Sequence, residues 1–565
     1  MATTSGSLIT RNYTGFKGVD FSNRKDEIAL YRSPDALNMW RNYKNSTGNC
    51  VETRPDIELV KEYEDTVYGI FFYSYNGAIH KIVHSGTKLY DDDTVIYSSM
   101  AEHKSNFFVY NKNLFIMDTS KYLTYDGTTI EEVVGYVPTT SISRSPSGGG
   151  TVYEDVNLLS NYRKNSFCAD GEAKEYMLDV PSFDNGSTVR VWIDDKEITT
   201  GFTADYTTGK ITFTTAPKEP DTAGADNVII QFQKTVEGHR ERIVKCELVE
   251  LFDNRVFFSG NPNFKNVLFH CSLNNPSYCS DLDYYEEGTD DSAIRSLIAG
   301  NNALWVMKEP SQTNTTIFYH NPTIDSEYGK IYPSTHSSIS TGCKTTGRNF
   351  NDTICFFSDR GMEAISGDVT TEQVIAHRST LVDNRLLNEA SYNDMILEEW
   401  EGYLLVIVGK NVYLADSRNL VTVNDHTEYE WFYWEFDNNI TGTCVKDGVL
   451  YLCSDKTIYT LTKKDSTINS YWSLLEDEFK YPQYQKTTNK KGCVIDMEGS
   501  KITVYAKIDN KTLDKINTYQ NVKGYVVSRI KKKKWKSIQL KFDSNKPFSL
   551  YSCTLEAYIG SYVKR

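Results

Sequence analysis

Apolar and polar positions along this chain recur as one unit: an apolar or aromatic run, a short polar turn, and a second alternating run, the pattern of a β-hairpin. The unit reads FFYSYNGAIHKIV around Asn76, FFVYNKNLFIMD around Asn111, VELFDNRVFFSG around Asp253 and LIAGNNALWVMK around Asn301. It continues as NFNDTICFFSDRG around Asn351, EEWEGYLLVIVG around Glu401 and CVKDGVLYLCSD around Asp447. From turn to turn the spacings are 35, 142, 48, 50, 50 and 46 residues. Most of them match four-stranded propeller blades, which take about 40 to 50 residues each. The pattern predicts an all-β chain, a β-propeller of six to eight blades. A non-repeating pair of β-sandwiches is the alternative arrangement of the same strands.

The long spacing, from Asn111 to Asp253, predicts an interruption. It opens with SRSPSGGG, Ser143 to Gly150, which reads as a flexible domain boundary. Beyond it Val189, Val191 and Ile193 alternate with Arg190 and Trp192, a turn falls at Tyr206 to Gly209, Ile211 and Phe213 alternate again, and Val228 to Phe232 makes a last strand. This is the pattern of an inserted β-sandwich at 141–236. After the last hairpin, strands are expected at Lys501 to Ile508, Tyr525 to Ile530, Lys536 to Phe542 and Ser552 to Ile559. Ile538, Leu540 and Phe542 share one face, so that strand requires a partner. The expected organisation is an N-terminal segment (1–60), a first propeller part (61–140), the inserted sandwich (141–236), a second propeller part (237–477) and a C-terminal β module (478–565). Pro34, Met39, Trp40 and Tyr43 give the N-terminal segment apolar anchors that a disordered arm does not need.

Composition narrows the function. The 565 residues carry 61 Lys and Arg against 75 Asp and Glu, a net charge of −14, which argues against nucleic-acid affinity driven by overall charge. The first residues lack the charged start and apolar core of a secretory signal, and no apolar run is long enough to cross a bilayer, so a soluble chain made in the cytosol is expected. The 11 cysteines never stand as C-x-x-C, and reduced, mostly buried thiols are the expectation.

No assembled chemistry is legible, and no cofactor is expected. The S-x-D-x-G-x-x-W box of sialidase propellers is missing; Ser358-Asp359-Arg360-Gly361 is its nearest fragment and reads as a hairpin turn. The nine histidines form no H-E-x-x-H, and His80 with His84 lies in a strand, where an i, i+4 pair need not meet. No phosphate-loop or G-x-S-x-G motif occurs. Asp91 to Asp93, and Asp281, Asp283, Glu286, Glu287, Asp290 and Asp291, lack Ca²⁺-loop spacing and read as solvated loops. In the opposite sense, RIKKKKWKSIQLK, Arg529 to Lys541, holds seven basic residues and no acid. It can meet DNA, meet acidic loops of a neighbouring subunit, or serve as an edge that blocks strand addition.

One segment carries a resemblance. Gly18 to Pro55, with Arg32, Pro34 and Asn38 and then Gly48, Glu52, Thr53, Arg54 and Pro55, resembles the opening of the tail hub or tail nozzle (tail tubular, "stabilisation"-type) proteins of tailed bacteriophages. Glu286 to Ser311, Phe356 to Asp368, KKWKSIQLKF and the final SYVKR look similar to further segments of that family. The resemblance implies a structural, non-enzymatic virion protein made in the host bacterial cytoplasm. It implies a homohexameric ring that extends the DNA channel below the portal and adaptor proteins, with tail fibre or tail tip proteins as further partners. Double-stranded DNA would pass through without specific binding, its phosphates repelled by acidic loops. Docking is then assigned to Arg32, Pro34, Asn38, Trp40, Arg54 and Pro55, together with Lys532, Lys534 and Trp535 of the C-terminal module. The alternative is a glycan-binding or glycan-cleaving propeller of a virion or cell surface.

Overall fold

The computed structural model describes residues 6–44, 50–312, 315–326, 329–337, 339–366, 374–423, 426–463, 467–509, 511–530 and 534–562. The described residues are nearly all β, 55% strand and 2% helix. It divides into two compact units, one of residues 1–72, 81–86 and 341–565 and the other of 73–80 and 87–340.

The seven hairpins form at the seven turns that the pattern marks. Asn76, Asn111, Asp253, Asn301, Asn351, Glu401 and Asp447 all lie at φ between 46° and 53°, and each following residue lies at φ between 58° and 83°. Two successive left-handed residues make the type I′ turn, whose twist matches that of the flanking strands. Asn and Asp occupy most of these first positions because their short polar side chains tolerate that conformation.

Each hairpin grows into four antiparallel strands. In the second unit these sheets are Asn106–Tyr110 to Ile130–Glu132, Leu248–Phe252 to Tyr284–Glu286, and Ile294–Gly300 to Ser334–His336. In the first unit Gly347–Phe350 to Val374–His377 make such a sheet, and Ile396–Trp400 to His426–Glu435 are four consecutive strands of a 13-stranded one. A further four-stranded sheet joins Gly442–Lys446, Val449–Ser454 and Thr457–Lys463 to Asp56–Glu62 from the start of the chain. The strands Val67–Tyr75, Ala78–Ser85, Lys88–Asp91 and Thr94–Tyr97 complete the series.

Residues 139–233 of the second unit form a six-stranded and a three-stranded sheet over one core of Phe167, Tyr176, Val191, Ile211, Phe213, Val228, Ile230 and Phe232. Here the expected flexible boundary is corrected. Thr139–Arg144 is a strand, paired in parallel with Tyr162–Phe167, and Ser145 to Gly148 is a turn closed by Gly148 N–H donating to Ser145 O.

In the first unit the C-terminal strands are longer than the pattern predicts. Tyr484–Ile508 runs for 25 residues, bordered by Leu513–Ser528 on one side and by Phe548–Tyr562 and then Ile538–Ser544 on the other. Ile538, Leu540 and Phe542 are buried, with Ser470–Ser473 completing their pairing. Met39–Trp40 and Val51–Thr53 stitch His426–Glu435 to Phe548–Tyr562, and Leu8–Thr14 adds to Phe548–Tyr562. Both ends of the described chain thus enter one sheet.

Candidate functional site

The residues singled out in the N-terminal segment gather at this stitching point, and they point inward. Arg32 is 5% exposed and donates from Nε and Nη2 to the two carboxylate oxygens of Glu430, at 3.0 and 3.1 Å. Two parallel charge-assisted bonds fix both position and angle. Pro34 is half-buried two residues on, leading into Ala36–Leu37, which pairs with Ser470–Ser473.

Asn38 is the hub. Its φ of 55° turns the chain between two short strands, where its N–H donates to Tyr433 O. Its Oδ1 accepts from Arg54 Nε and from Glu435 N–H, both at 2.9 Å, while its Nδ2 donates to Asn469 O. Arg54 completes the knot by donating to Pro55 O and Glu435 O, its guanidinium 4.2 Å from the Phe436 ring centre. Burial lowers the Arg54 pKa to about 10, with Asp56 and Asp437 acting in the opposite direction.

Trp40 closes the aromatic side. It stacks on Trp400 at 5.4 Å and meets Trp434 edge-on at 5.5 Å, a geometry that adds about 0.5–1.5 kcal/mol per pair beyond burial.

The expected docking role of these side chains is therefore corrected. Arg32, Asn38, Trp40 and Arg54 are buried and held by partners of their own chain, and Pro34 and Pro55 are half-buried beside them. Arg54 orders its own turn through Asn38, Pro55 and Glu435.

In the basic run the docking role expected of Trp535 is corrected. Trp535 is buried, donates from Nε1 to Thr488 Oγ1 at 2.9 Å and packs edge-on against Phe479. Lys534 is exposed, and Lys532 lies outside the described residues. Beside Trp535, Lys486 donates to Tyr481 O and Lys536 O, and burial lowers its pKa to about 8.

Two clusters escape sequence reasoning. His377 stands between Asp383, 2.6 Å from Nε2, and Glu363, 3.4 Å from Nδ1. Burial works against its charge, but the two carboxylates outweigh it and raise the pKa to about 10. Asp383 also accepts from Ser379, and a Cβ on Gly361 would strike both of those side chains. The Ser-Asp-Arg-Gly segment is thus a hairpin turn that a side chain would break. In the second unit Glu287, read as part of a solvated loop, is buried against His320 Nε2 at 2.9 Å and Ser334 Oγ at 2.6 Å. The sequence signal for both is weak, because their partners come from separate strands.

The 11 cysteines are free thiols, Cys168 and Cys444 half-buried and the others buried. Among the described residues no group of three or more His, Cys, Asp or Glu is placed to hold a metal ion, and no helix is long and apolar enough to cross a membrane. The arrangement at the stitching point is mechanical: it ties strands distant in sequence into one piece.

No family model and no curated protein matches the chain. Among solved structures it is similar to BamB from Moraxella catarrhalis, at 11% identity and a TM-score of 0.32 over 72% of this chain and 97% of that one. The computationally designed Ika8 protein gives 10% identity and a TM-score of 0.32 over 71% and 98%. An exo-beta-1,3-galactanase from Phanerochaete chrysosporium gives 8% and 0.21 over 55% and 95%.

Proposed function

We propose that the chain is a structural component of a bacteriophage tail, a hub or nozzle whose copies form a hexameric ring around a central DNA passage. In this reading the six four-stranded sheets and the four strands Ile396–Trp400 to His426–Glu435 are the blades of a propeller, residues 139–233 are a sandwich inserted between two of them, and the C-terminal module is the platform on which other tail proteins dock. The observation that carries the reading is the stitching itself: Leu8–Thr14, Met39–Trp40 and Val51–Thr53 are built into the C-terminal sheet, so a load on either end is shared by the hydrogen bonds of a whole sheet. The side chains available for docking are those on the outer surface of that sheet, such as Tyr525 and Tyr558. The function is one of form, without catalysis. Native mass spectrometry and particle averaging of the purified protein test this, with closed rings inactive on cell-wall and capsule sugars as the expected result. A monomer that hydrolyses such sugars replaces this reading with a glycan-cleaving propeller.

A further inference from the structure

The two-sheet body at residues 139–233 holds a cavity of about 690 Å³ walled by Ser143 to Ser147, Cys168 to Asp170, Ala173, Glu175, Met177 and Gly224. Arg144 in its wall is 7% exposed, and no ion pair holds it. Its Nη1 donates to Ser141 Oγ and its Nη2 to Met177 O, both at 3.0 Å, its plane lies 5.5 Å from the Phe167 ring, and its Nε has no partner. All of these partners are neutral. A guanidinium keeps its proton, and the one carboxylate whose charge acts on it, Asp179, makes no ion pair with it, so the buried guanidinium can still take up an anion.

The nearby carboxylates have partners of their own, although Asp179 also acts on the Arg144 charge. Asp179 accepts from Thr140 Oγ1, Asp226 from Ser143 N–H, Asp170 from the N–H groups of Glu172 and Ala173, and Glu175 pairs with Lys210. The wall carries the hydroxyls of Ser143, Ser145 and Ser147 together with the carboxylates of Asp170 and Glu175. Ser145, Ser147 and Gly148 are joined by side-chain bonds, and Gly150 lies so close to Arg144 Cγ that a side chain there would displace the guanidinium. A pocket of this volume with hydroxyls at its mouth fits a sugar-sized ligand better than a bare ion.

We propose that this cavity binds an acidic sugar, a hydroxyl-rich ligand whose oxyanion, carboxylate or phosphate, meets the Arg144 guanidinium. Ser145 and Ser147 bond its hydroxyl groups at the rim. The site belongs to the second unit and does not depend on the structural role proposed above.

Calorimetric titration of the full chain with glucuronate, a hexose phosphate and neutral glucose tests the proposal. Saturable binding of at least one acidic sugar and none of glucose is expected, and which of the two binds identifies the oxyanion. Ser147→Glu, on an exposed side chain at the rim, should weaken that binding about tenfold or more by charge repulsion, and Arg144→Gln should abolish it. If Arg144→Gln fails to fold, Ser147→Glu decides alone. Equal binding of glucose, no binding of either acid at about 10 mM, the weak end of specific recognition, or indifference to Ser147→Glu overturns the assignment.

Discussion

Arg32 and Glu430 stand 398 residues apart in sequence and meet as a two-pronged ion pair that is 5% and 1% exposed at its side chains. Removing one partner leaves the other charged and buried. Arg32→Ala or Glu430→Ala is therefore expected to cost about 3–5 kcal/mol, and the double substitution less than the sum of the two. Urea unfolding of the four proteins gives the coupling; an additive double mutant would show that the pair is not the joint described.

Asn38 offers a second test of the same joint. Asn38→Ala removes the acceptor of Arg54 Nε and Glu435 N–H and the donor to Asn469 O while keeping a left-handed φ that alanine disfavours. A loss of about 3 kcal/mol or more is expected. Asn38→Gly, which relieves the backbone but restores no bond, should recover about 1 kcal/mol of it.

The turn chemistry allows a gain. Lys112 holds φ 69° at the second position of a type I′ turn after Asn111, and only its carbonyl has a tertiary partner, the Tyr73 hydroxyl. Lys112→Gly makes the pair Asn-Gly without touching that bond. Stability should rise by about 1 kcal/mol, read as a higher midpoint in thermal or urea unfolding.

The His377 cluster sets a pH dependence. Its folded pKa of about 10 lies above the ordinary value of 6.5, so the charged form is favoured by folding. That stabilisation is complete below pH 6.5 and is lost as the pH rises from there through 10. Unfolding free energies measured between pH 6 and 10.5, taken as about the window of that titration, should fall for the wild type by more than for His377→Gln. Equal slopes would remove His377 from the account.

The hairpins were legible because their signal is local: a polar pair between two apolar runs, with Asn or Asp where φ turns positive. The stitching was not, because Met39 meets Tyr433 and Thr53, and Glu52 meets Ser549, through backbone bonds that leave no mark on residue type. Trp535 was misleading for a related reason. Its neighbours in sequence are lysines, but its neighbours in space are Phe479 and Thr488. The first part of Tyr484–Ile508 leaves no strand pattern, since Gln485 to Gly492 is polar throughout and shows no alternation. At Ser143 to Gly150 serine and glycine content predicts a loose connection, whereas Arg144 and its bonds organise the segment. In the docking segment the anchors were visible, and only the direction in which they face was not.

The strand Asp56–Glu62 fills the open edge beside Thr457–Lys463. During synthesis that places the first and last pieces of one sheet some 400 residues apart, a delay of about 20 to 80 seconds at the pace of a ribosome. The early strand must wait, unpaired, while the hairpins that follow it are made and fold. Its exposed residues are Glu58 and Glu62, charges that discourage pairing with another nascent chain in the interval, and Leu59 and Val60, which favour it. Translation speed thus becomes a variable in the yield of folded protein: slowing elongation within residues 63–456 prolongs the wait, whereas slowing it after Lys463 leaves the closing partner already made.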